Sequence, residues 1–415
     1  MKIRNYLKRI MFFIICVGTL NSSCYSRKPP KIVNPFFTCS NRLDKPYGVC
    51  THINRIGEKW EFDTREEDIK MMSKVGANFI RTDFDWSYCI AKKDSHLKHN
   101  YHDLVVHSVG QSLNILGILS PVVNKEKRSS WKEYVASISR HYSKKIKYWE
   151  VINEANRKYK KIPSFNASVY ADIIRDGYET IKREGKNLKV LFSGISLNNP
   201  DFVDTVFQLN GEKFFDIMNL HRYPKKMSNV EELIENYKTF SYKMKKYNIK
   251  KPIWLTETGY STYEGKSSEN VQAMILPRLF LISFACGIDK VFWYKSRSNE
   301  LSNDKECHFG LWHWDYSPKP AFYTYRTLTR MCPDKSTRPR LMQYGKIYVA
   351  SWRQPGGRRV WALWTSIHEV ISSIKIRGTY KVVNDRGYEF KMKNLLEFKI
   401  TPSVTYIVGA EEVVF

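Results

Sequence analysis

Between Tyr47 and Tyr294 the chain sets down eight short apolar, β-branched runs, each followed by a longer amphipathic stretch. The runs are YGVCTHI (from 47), NFIRTDF (78), NILGILS (114), YWEVINE (148), KVLFSGIS (189), DIMNLHRY (216), PIWLTETG (252) and KVFWYKS (290). Consecutive starts lie between 27 residues (189 to 216) and 41 residues (148 to 189) apart. That is the length that one strand, one helix and two loops need. Eight such units predict an α/β fold, a (β/α)8 TIM barrel whose strands close on one another under a ring of helices. An open doubly wound sheet is the alternative. No GxGxxG or GxxxxGK stretch follows any of the runs, so its usual nucleotide chemistry is missing.

The stretches between the runs have helical periodicity. Tyr170, Ile173, Ile174, Tyr178 and Ile181 share one face, and Gly185 follows as a C-cap. Ser228 stands three residues before Glu231, a capping-box pattern opening the helix after the sixth run. Past the eighth run, DYSPKPAFYTYRTLTRM predicts a closing helix and CPDKSTRPR a linker. The texture then changes to alternating strands, with Pro355, Gly356 and Gly357 marking a hairpin. The expected organisation is a signal peptide over 1–23, an N-terminal linker over 24–40, the barrel over 41–332 and a small antiparallel β-sandwich over 340–415.

Lys2, Arg4, Lys8 and Arg9 precede an apolar run from Ile10 to Leu20, too short to span a bilayer and suited to an export signal. Ser22 and Ser23 lead into Cys24, which resembles a bacterial lipoprotein signal and would leave Cys24 lipidated at the mature N-terminus. The position three before the cysteine is Asn21 where such motifs usually carry Leu, so plain secretion stays open. The expected location is periplasmic or outer-membrane-anchored, otherwise secreted, with membrane contact only through that lipid.

Formal charge is +27, and losing the four basic residues of the signal leaves 27 − 4 = +23. Such a field attracts anionic partners, acidic glycans among them. The lysines are scattered, and no dense basic run interleaved with aromatics appears, so nucleic-acid binding is not expected. Apart from Cys16 and Cys24, six cysteines remain, without CxxC or HExxH, and no metal or cofactor is expected. Export would allow a pair such as Cys307 with Cys332.

In a barrel, residues at the C-terminal ends of strands face the active-site mouth. Glu154 closes the fourth run and Glu257 the seventh, 103 residues later, which puts two carboxylates on one rim. Paired carboxylates about 5 to 5.5 Å apart are what retaining glycoside hydrolysis requires. Proximity to Glu257 is expected to raise the pKa of Glu154, so that it keeps a proton for the leaving group.

The flanking motifs INEAN, WLTETGY, FIRTD, HRYP and FWY fall at the fourth, seventh, second, sixth and eighth runs. In that order they resemble the clan A retaining glycoside hydrolases, most of all family 5 and family 39 relatives, over residues 41 to 330. The resemblance implies Glu154 as general acid/base and Glu257 as nucleophile. It also implies Asn153 as the partner of the sugar 2-hydroxyl, and Arg81, ending the second run, as the cation that holds the nucleophile ionised. Tyr223 would donate to the nucleophile, His221 would line the pocket, and Trp293 would floor the glycone subsite. Ala155 departs from the pattern, since many relatives have Pro after the acid/base.

Aromatic residues Trp86, Tyr88, Trp312, Trp314 and Tyr316 in rim loops serve either as sugar-stacking walls or as packing over the barrel end. His52, closing the first run, is a further pocket candidate. The expected partner is a poly- or oligosaccharide, tilted by charge toward an anionic one. A transglycosylase on the same residues and a non-catalytic glycan-binding lipoprotein are the alternatives, and oligomeric state is not legible.

Overall fold

The computed structural model describes residues 29–53, 65–88, 100–120, 125–157, 165–197, 201–263, 268–299, 304–391 and 397–415. The export signal and Cys24 lie outside the described residues, as does the side chain of Tyr88. No helix among the described residues is long and apolar enough to cross a membrane.

All eight runs form strands. They are β1 (Tyr47–Cys50), β2 (Phe79–Phe84), β3 (Asn114–Leu119), β4 (Tyr148–Val151), β5 (Lys189–Leu191), β6 (Met218–His221), β7 (Ile253–Thr258) and β8 (Lys290–Tyr294). Helices alternate with them: α1 (Arg65–Lys74), α2 (Asn100–Val109), α3 (Arg128–His141), α4 (Ala167–Glu184), α5 (Asp201–Gln208), α6 (Leu233–Lys246), α7 (Glu269–Ala285) and α8 (Pro320–Met331). Pairing is parallel from β5 back to β1, then through β8, β7 and β6. The fifth run is split. After β5 a short piece, Ile195–Ser196, pairs with β6, and a parallel bridge between Leu191 and Ile217 closes the cylinder.

The strand period of two sorts side chains into two cores. Cys50, Phe79, Leu116, Leu191, Ile217, Trp254 and Phe292 fill the barrel interior, with Tyr148 and Tyr294 against them. Ile80, Trp149, Val190, Leu255 and Trp293 belong instead to the larger core between strands and helices. Strand residues such as Arg81, Glu150, Asn219 and Thr256 share the parity of the interior set, so polar groups crown the apolar floor.

α4 buries Tyr170, Ile173, Ile174 and Ile181 as its periodicity predicts, and Asn166 caps it by accepting from the Val169 N–H. Gly185 is its C-cap, in an extended conformation. The capping box at Ser228 does not form. α6 starts later, at Leu233, because the Glu231 carboxylate is taken by the fully buried Arg278 of α7, Nε to Oε1 at 2.9 Å and Nη2 to Oε2 at 2.6 Å.

The C-terminal region is antiparallel β, as expected, and begins with β9 (Arg340–Tyr344), β10 (Ile347–Arg353) and β11 (Arg359–Thr365). Gln354–Arg358 make the hairpin turn, with Gly357 at φ +80°. Part of the expected N-terminal linker is not a linker: Lys31–Val33 pairs antiparallel with β9 as an edge strand of this sheet. Trp364 Nε1 donates to Glu231 at 3.0 Å and Arg278 Nη2 to the Ser366 carbonyl at 3.0 Å, which ties the sheet to the barrel helices.

The suggested Cys307–Cys332 pair is absent, and both thiols are free. Cys332 ends α8 beside Tyr47 at the start of β1, whereas Cys307 lies in the loop after β8. They sit at opposite ends of the barrel.

Candidate active site

β4 stops at Val151, and the chain then turns sharply. Ile152 and Glu154 both have left-handed backbones, φ 67° and 47°. For a β-branched residue such as Ile152 this is a strained conformation, of a kind that concentrates at functional sites. The turn is pinned by the Ala155 N–H donating to Ser193 Oγ at 2.7 Å and by Asn156, whose Nδ2 donates to the Ser196 carbonyl at 2.9 Å. Asn153 and Glu154 are thereby thrown over the mouth rather than along the strand.

Glu257 reaches the same mouth by a different device. Along β7, Trp254 and Thr256 face inward, so strict alternation would point Glu257 outward. The register against both neighbours shifts at this point: Leu220 pairs Leu255 but His221 pairs Glu257, and Val291 pairs Leu255 while Trp293 pairs Thr258. That extra residue is a β-bulge, which re-aims a side chain.

Beneath the two carboxylates lies Arg81, 3% exposed. It stands in the middle of β2 rather than at its end, since the strand continues to Phe84. Its Nη1 donates to Glu257 Oε2 at 2.9 Å and its Nη2 to Asn153 Oδ1 at 2.7 Å. Nε and Nη2 also grip Glu150 at 2.8 and 3.0 Å. Burial alone would weaken the guanidinium as a base, but Glu150 and Glu257 hold its pKa well above the usual arginine value.

Tyr223, in the loop after β6, donates its hydroxyl to Glu257 Oε1 at 2.5 Å. Burial first, and the Glu257 charge second, push that phenol well above its ordinary pKa, so it remains a donor. His221 ends β6 with Nδ1 3.2 Å from Glu154 Oε1 and 3.7 Å from Glu257 Oε2. Its Nε2 meets Thr256 Oγ1 at 3.1 Å, and Thr256 in turn donates to Asn219 Oδ1 at 2.5 Å. The ring fits because position 194 is glycine: a Cβ there would lie 2.0 Å from His221 Nε2.

Glu154, His221 and Glu257 each present a ligating atom within 4.8 Å of the others. The two carboxylates therefore approach to within 4.8 Å, nearer to the roughly 5–5.5 Å of a retaining pair than to the roughly 6.5–9.5 Å of an inverting one. Arg81 and the Arg157 guanidinium, 2.6 Å from Glu154 Oε2, already supply the countercharge that a metal ion would bring.

The charge state of Glu154 differs from expectation. Burial pushes its carboxyl up, but hydrogen bonds and charge from His221 and then Arg157 outweigh burial and hold the pKa down to about 2. Two donors on a carboxylate favour its ionised form more than a neighbouring carboxylate opposes it.

Of the seven sequence-predicted site residues within the described chain, six lie together: Glu154, Glu257, Asn153, Arg81, His221 and Tyr223. Trp293 does not. It is fully buried between barrel and helices, donating Nε1 to the Phe309 carbonyl at 3.3 Å. A subsite floor needs an exposed ring face, and Trp293 has the outward parity of β8. Its neighbour Tyr294 faces inward, packing against Tyr223 and approaching His52 Nε2 through its hydroxyl at 3.4 Å. Among the rim aromatics Trp312 is also core, donating to the buried Asp68, while Trp314 is exposed. Trp86 stacks on Tyr134, and Tyr316 accepts from Arg297 at 2.6 Å. The sequence reading missed Glu150, Thr256, Asn219 and Arg157. Glu150 carried a signal, since it shares the inward parity of Tyr148 and a buried Arg81 demands a counterion.

Residues 74–320, 247 of 415, match a family model described as the glycosyl hydrolase catalytic core. No curated protein matches in sequence. Among solved structures, the chain is similar to a family 39 glycoside hydrolase from Bacteroides cellulosilyticus, with 17% identity over 88% of this chain and 81% of that one, at a TM-score of 0.69. It is similar to a family 30 endoxylanase from Clostridium papyrosolvens, at 12% identity, 91% and 99% coverage and a TM-score of 0.62. An α-L-arabinofuranosidase from Thermotoga maritima gives 12% identity, 92% and 100% coverage and 0.61. At identities this low the likeness shows a shared fold, and the family model, matched over more than half of the chain, shows the family. The protein belongs to the glycosyl hydrolase catalytic core family.

Proposed function

We propose that this glycosyl hydrolase cleaves O-glycosidic bonds of a poly- or oligosaccharide with retention of configuration, using Glu257 as nucleophile and Glu154 as acid/base. The single observation that carries the proposal is the approach of the Glu154 and Glu257 carboxylates to within 4.8 Å across the mouth. Glu257 Oε1 and Oε2 accept hydrogen bonds from Tyr223 and Arg81 respectively, fixed donors that aim the carboxylate.

In the first step Glu257 bonds to the anomeric carbon as Glu154 gives its proton to the departing oxygen. In the second, Glu154 takes a proton from water, whose oxygen displaces Glu257. His221, 3.2 Å from Glu154, orients that carboxyl between the two steps. Asn153, already held by Arg81, presents its amide toward the sugar 2-hydroxyl. The proposal extends to export, with Cys24 as the anchored residue of the mature chain.

The test is to inactivate the protein with 2-deoxy-2-fluoro glycosides from a panel of sugars and locate the label by peptide mass spectrometry. A sugar esterified to the Glu257 peptide is the expected result, with first-formed product of unchanged anomeric configuration by NMR. Label on another residue, or an inverted product, would refute the assignment.

A further inference from the structure

Arg157 lies three residues past Glu154, its backbone N–H donating to the Glu154 carbonyl at 2.9 Å. Its side chain is 73% exposed, yet Nη1 rests 2.6 Å from Glu154 Oε2. So exposed a cation gains little from an ion pair and leaves it at small cost. The other oxygen of Glu154 faces His221, so Oε2 is the one that remains to meet a leaving group. Arg157 therefore stands on the path of the departing sugar.

Among the described residues, the charged groups around Glu154 come from several elements: His221 from β6, Glu257 from β7 with Arg81 of β2 behind it, and Glu306 from the loop after β8, within electrostatic reach of Arg157. Of the two guanidinium groups, Arg81 is sealed and Arg157 is open to solvent. Past Tyr223 a cleft of about 220 Å³ runs between Lys225, Tyr260, Tyr263, Lys305 and Phe309, adding two ammonium groups to the same rim.

We propose that the substrate carries an anionic group, carboxylate or sulfate, at or beside the leaving-group sugar, and that Arg157 transfers from Glu154 to that group as the glycan binds. This rests on the assignment of Glu154 as acid/base. The transfer couples recognition to chemistry: a substrate that offers Arg157 another anion draws off one of the two groups, after His221, that oppose a proton on Glu154. A neutral glycan offers Arg157 no other anion to move to.

The test uses matched pairs: uronate oligosaccharides against their carboxyl-reduced forms, and sulfated oligosaccharides against desulfated ones. kcat/KM of the wild type, Arg157→Gln and Arg157→Lys is measured on each, and calorimetry with Glu257→Gln reads binding without turnover. The charged member of one pair is expected to be favoured at least tenfold, the ratio falling to near one in Arg157→Gln, partly kept in Arg157→Lys and shrinking with salt. Which pair shows it distinguishes carboxylate from sulfate. Ratios near one in both pairs, or a ratio unaltered in Arg157→Gln, overturn the inference, and the wild-type ratio needs no variant. Binding preference without wild-type turnover on any member would sink the hydrolase assignment while leaving Arg157 as the anion ligand.

Discussion

Arg81 and Glu150 form a two-pronged ion pair inside the barrel, with Nε 2.8 Å from Oε2 and Nη2 3.0 Å from Oε1. Neither side chain is more than 3% exposed, and the same guanidinium carries Glu257 and Asn153. Glu150 therefore anchors the cation that positions the reacting groups while touching no substrate itself. Breaking a buried pair by removing one partner leaves an uncompensated charge and costs about 3–5 kcal/mol. Glu150→Ala is expected to lower stability by that order in urea unfolding. The fraction that remains folded should also lose turnover, because Arg81 is freed to follow Glu257.

Tyr223 bonds the oxygen of Glu257 opposite the one that Arg81 holds. A hydrogen bond to a charged group contributes roughly 1.5–3 kcal/mol. Tyr223→Phe keeps the ring that packs on Tyr294 and Phe309 and deletes only the donor. kcat of the folded protein is expected to fall about ten- to a hundredfold, with a loss of stability no greater than about 3 kcal/mol. Equal loss of kcat and of melting temperature would instead make the hydroxyl a structural tie.

The acid side of the pH response follows from Glu154. Its pKa near 2 in the folded protein lies below the unfolded value, so the group adds stability above about pH 4.3 that is lost as pH falls toward 2, on the order of 3 kcal/mol at most. Glu154→Gln should flatten that part of a melting-temperature profile against pH. Removing a cation raises a carboxylate's pKa, so Arg157→Gln should move the alkaline limb of kcat/KM upward. A limb that stayed put or moved down would contradict Arg157 as the group that, after His221, holds Glu154 ionised.

Trp293 separates a packing role from a binding one. A fully buried Trp cut to Ala costs about 3–5 kcal/mol, and Trp293→Ala is expected to fall in that range by denaturant titration. Trp293→Phe should recover most of the stability with KM within about twofold of wild type, as fits a ring that never meets sugar. A KM raised tenfold in a stable Trp293→Phe protein would restore the subsite floor.

The barrel was legible because its evidence is repetitive: eight apolar runs at one spacing leave few other ways to bury them, and every run became a strand. The carboxylate pair was legible because both glutamates end such runs. What defeated sequence reading was local geometry. The bulge in β7 turns Glu257 inward against its parity, and nothing in WLTETG announces it. Trp293 failed from the opposite cause, since its motif suggested a floor where the period of two places it outward. Ser228 and Glu231 have capping-box spacing, but a long-range partner, Arg278, claims the glutamate. The lowered pKa of Glu154 depends on His221 and then on Arg157, a solvent-facing residue whose reach no spacing rule encodes.

Gly194 offers the sharpest test of how closely the site is fitted. It lies in the gap between β5 and the Ile195–Ser196 piece, where its N–H donates to Glu150 Oε1 at 3.1 Å. An added Cβ would come within 2.0, 2.4 and 2.6 Å of three atoms of the His221 ring, well inside contact distance. Thr256 bonds the same Nε2 and Nδ1 faces Glu154, so the ring cannot retreat without losing one of those bonds. Overpacking of this kind costs typically about 1–3 kcal/mol, and Gly194→Ala is expected to lose that much stability and at least tenfold in kcat. Cutting the ring away should relieve the clash. In a His221→Ala background the same glycine substitution should be close to neutral for stability, a coupling that a double-mutant cycle reads directly. Strict additivity of the two changes would mean that the glycine serves the backbone rather than the histidine.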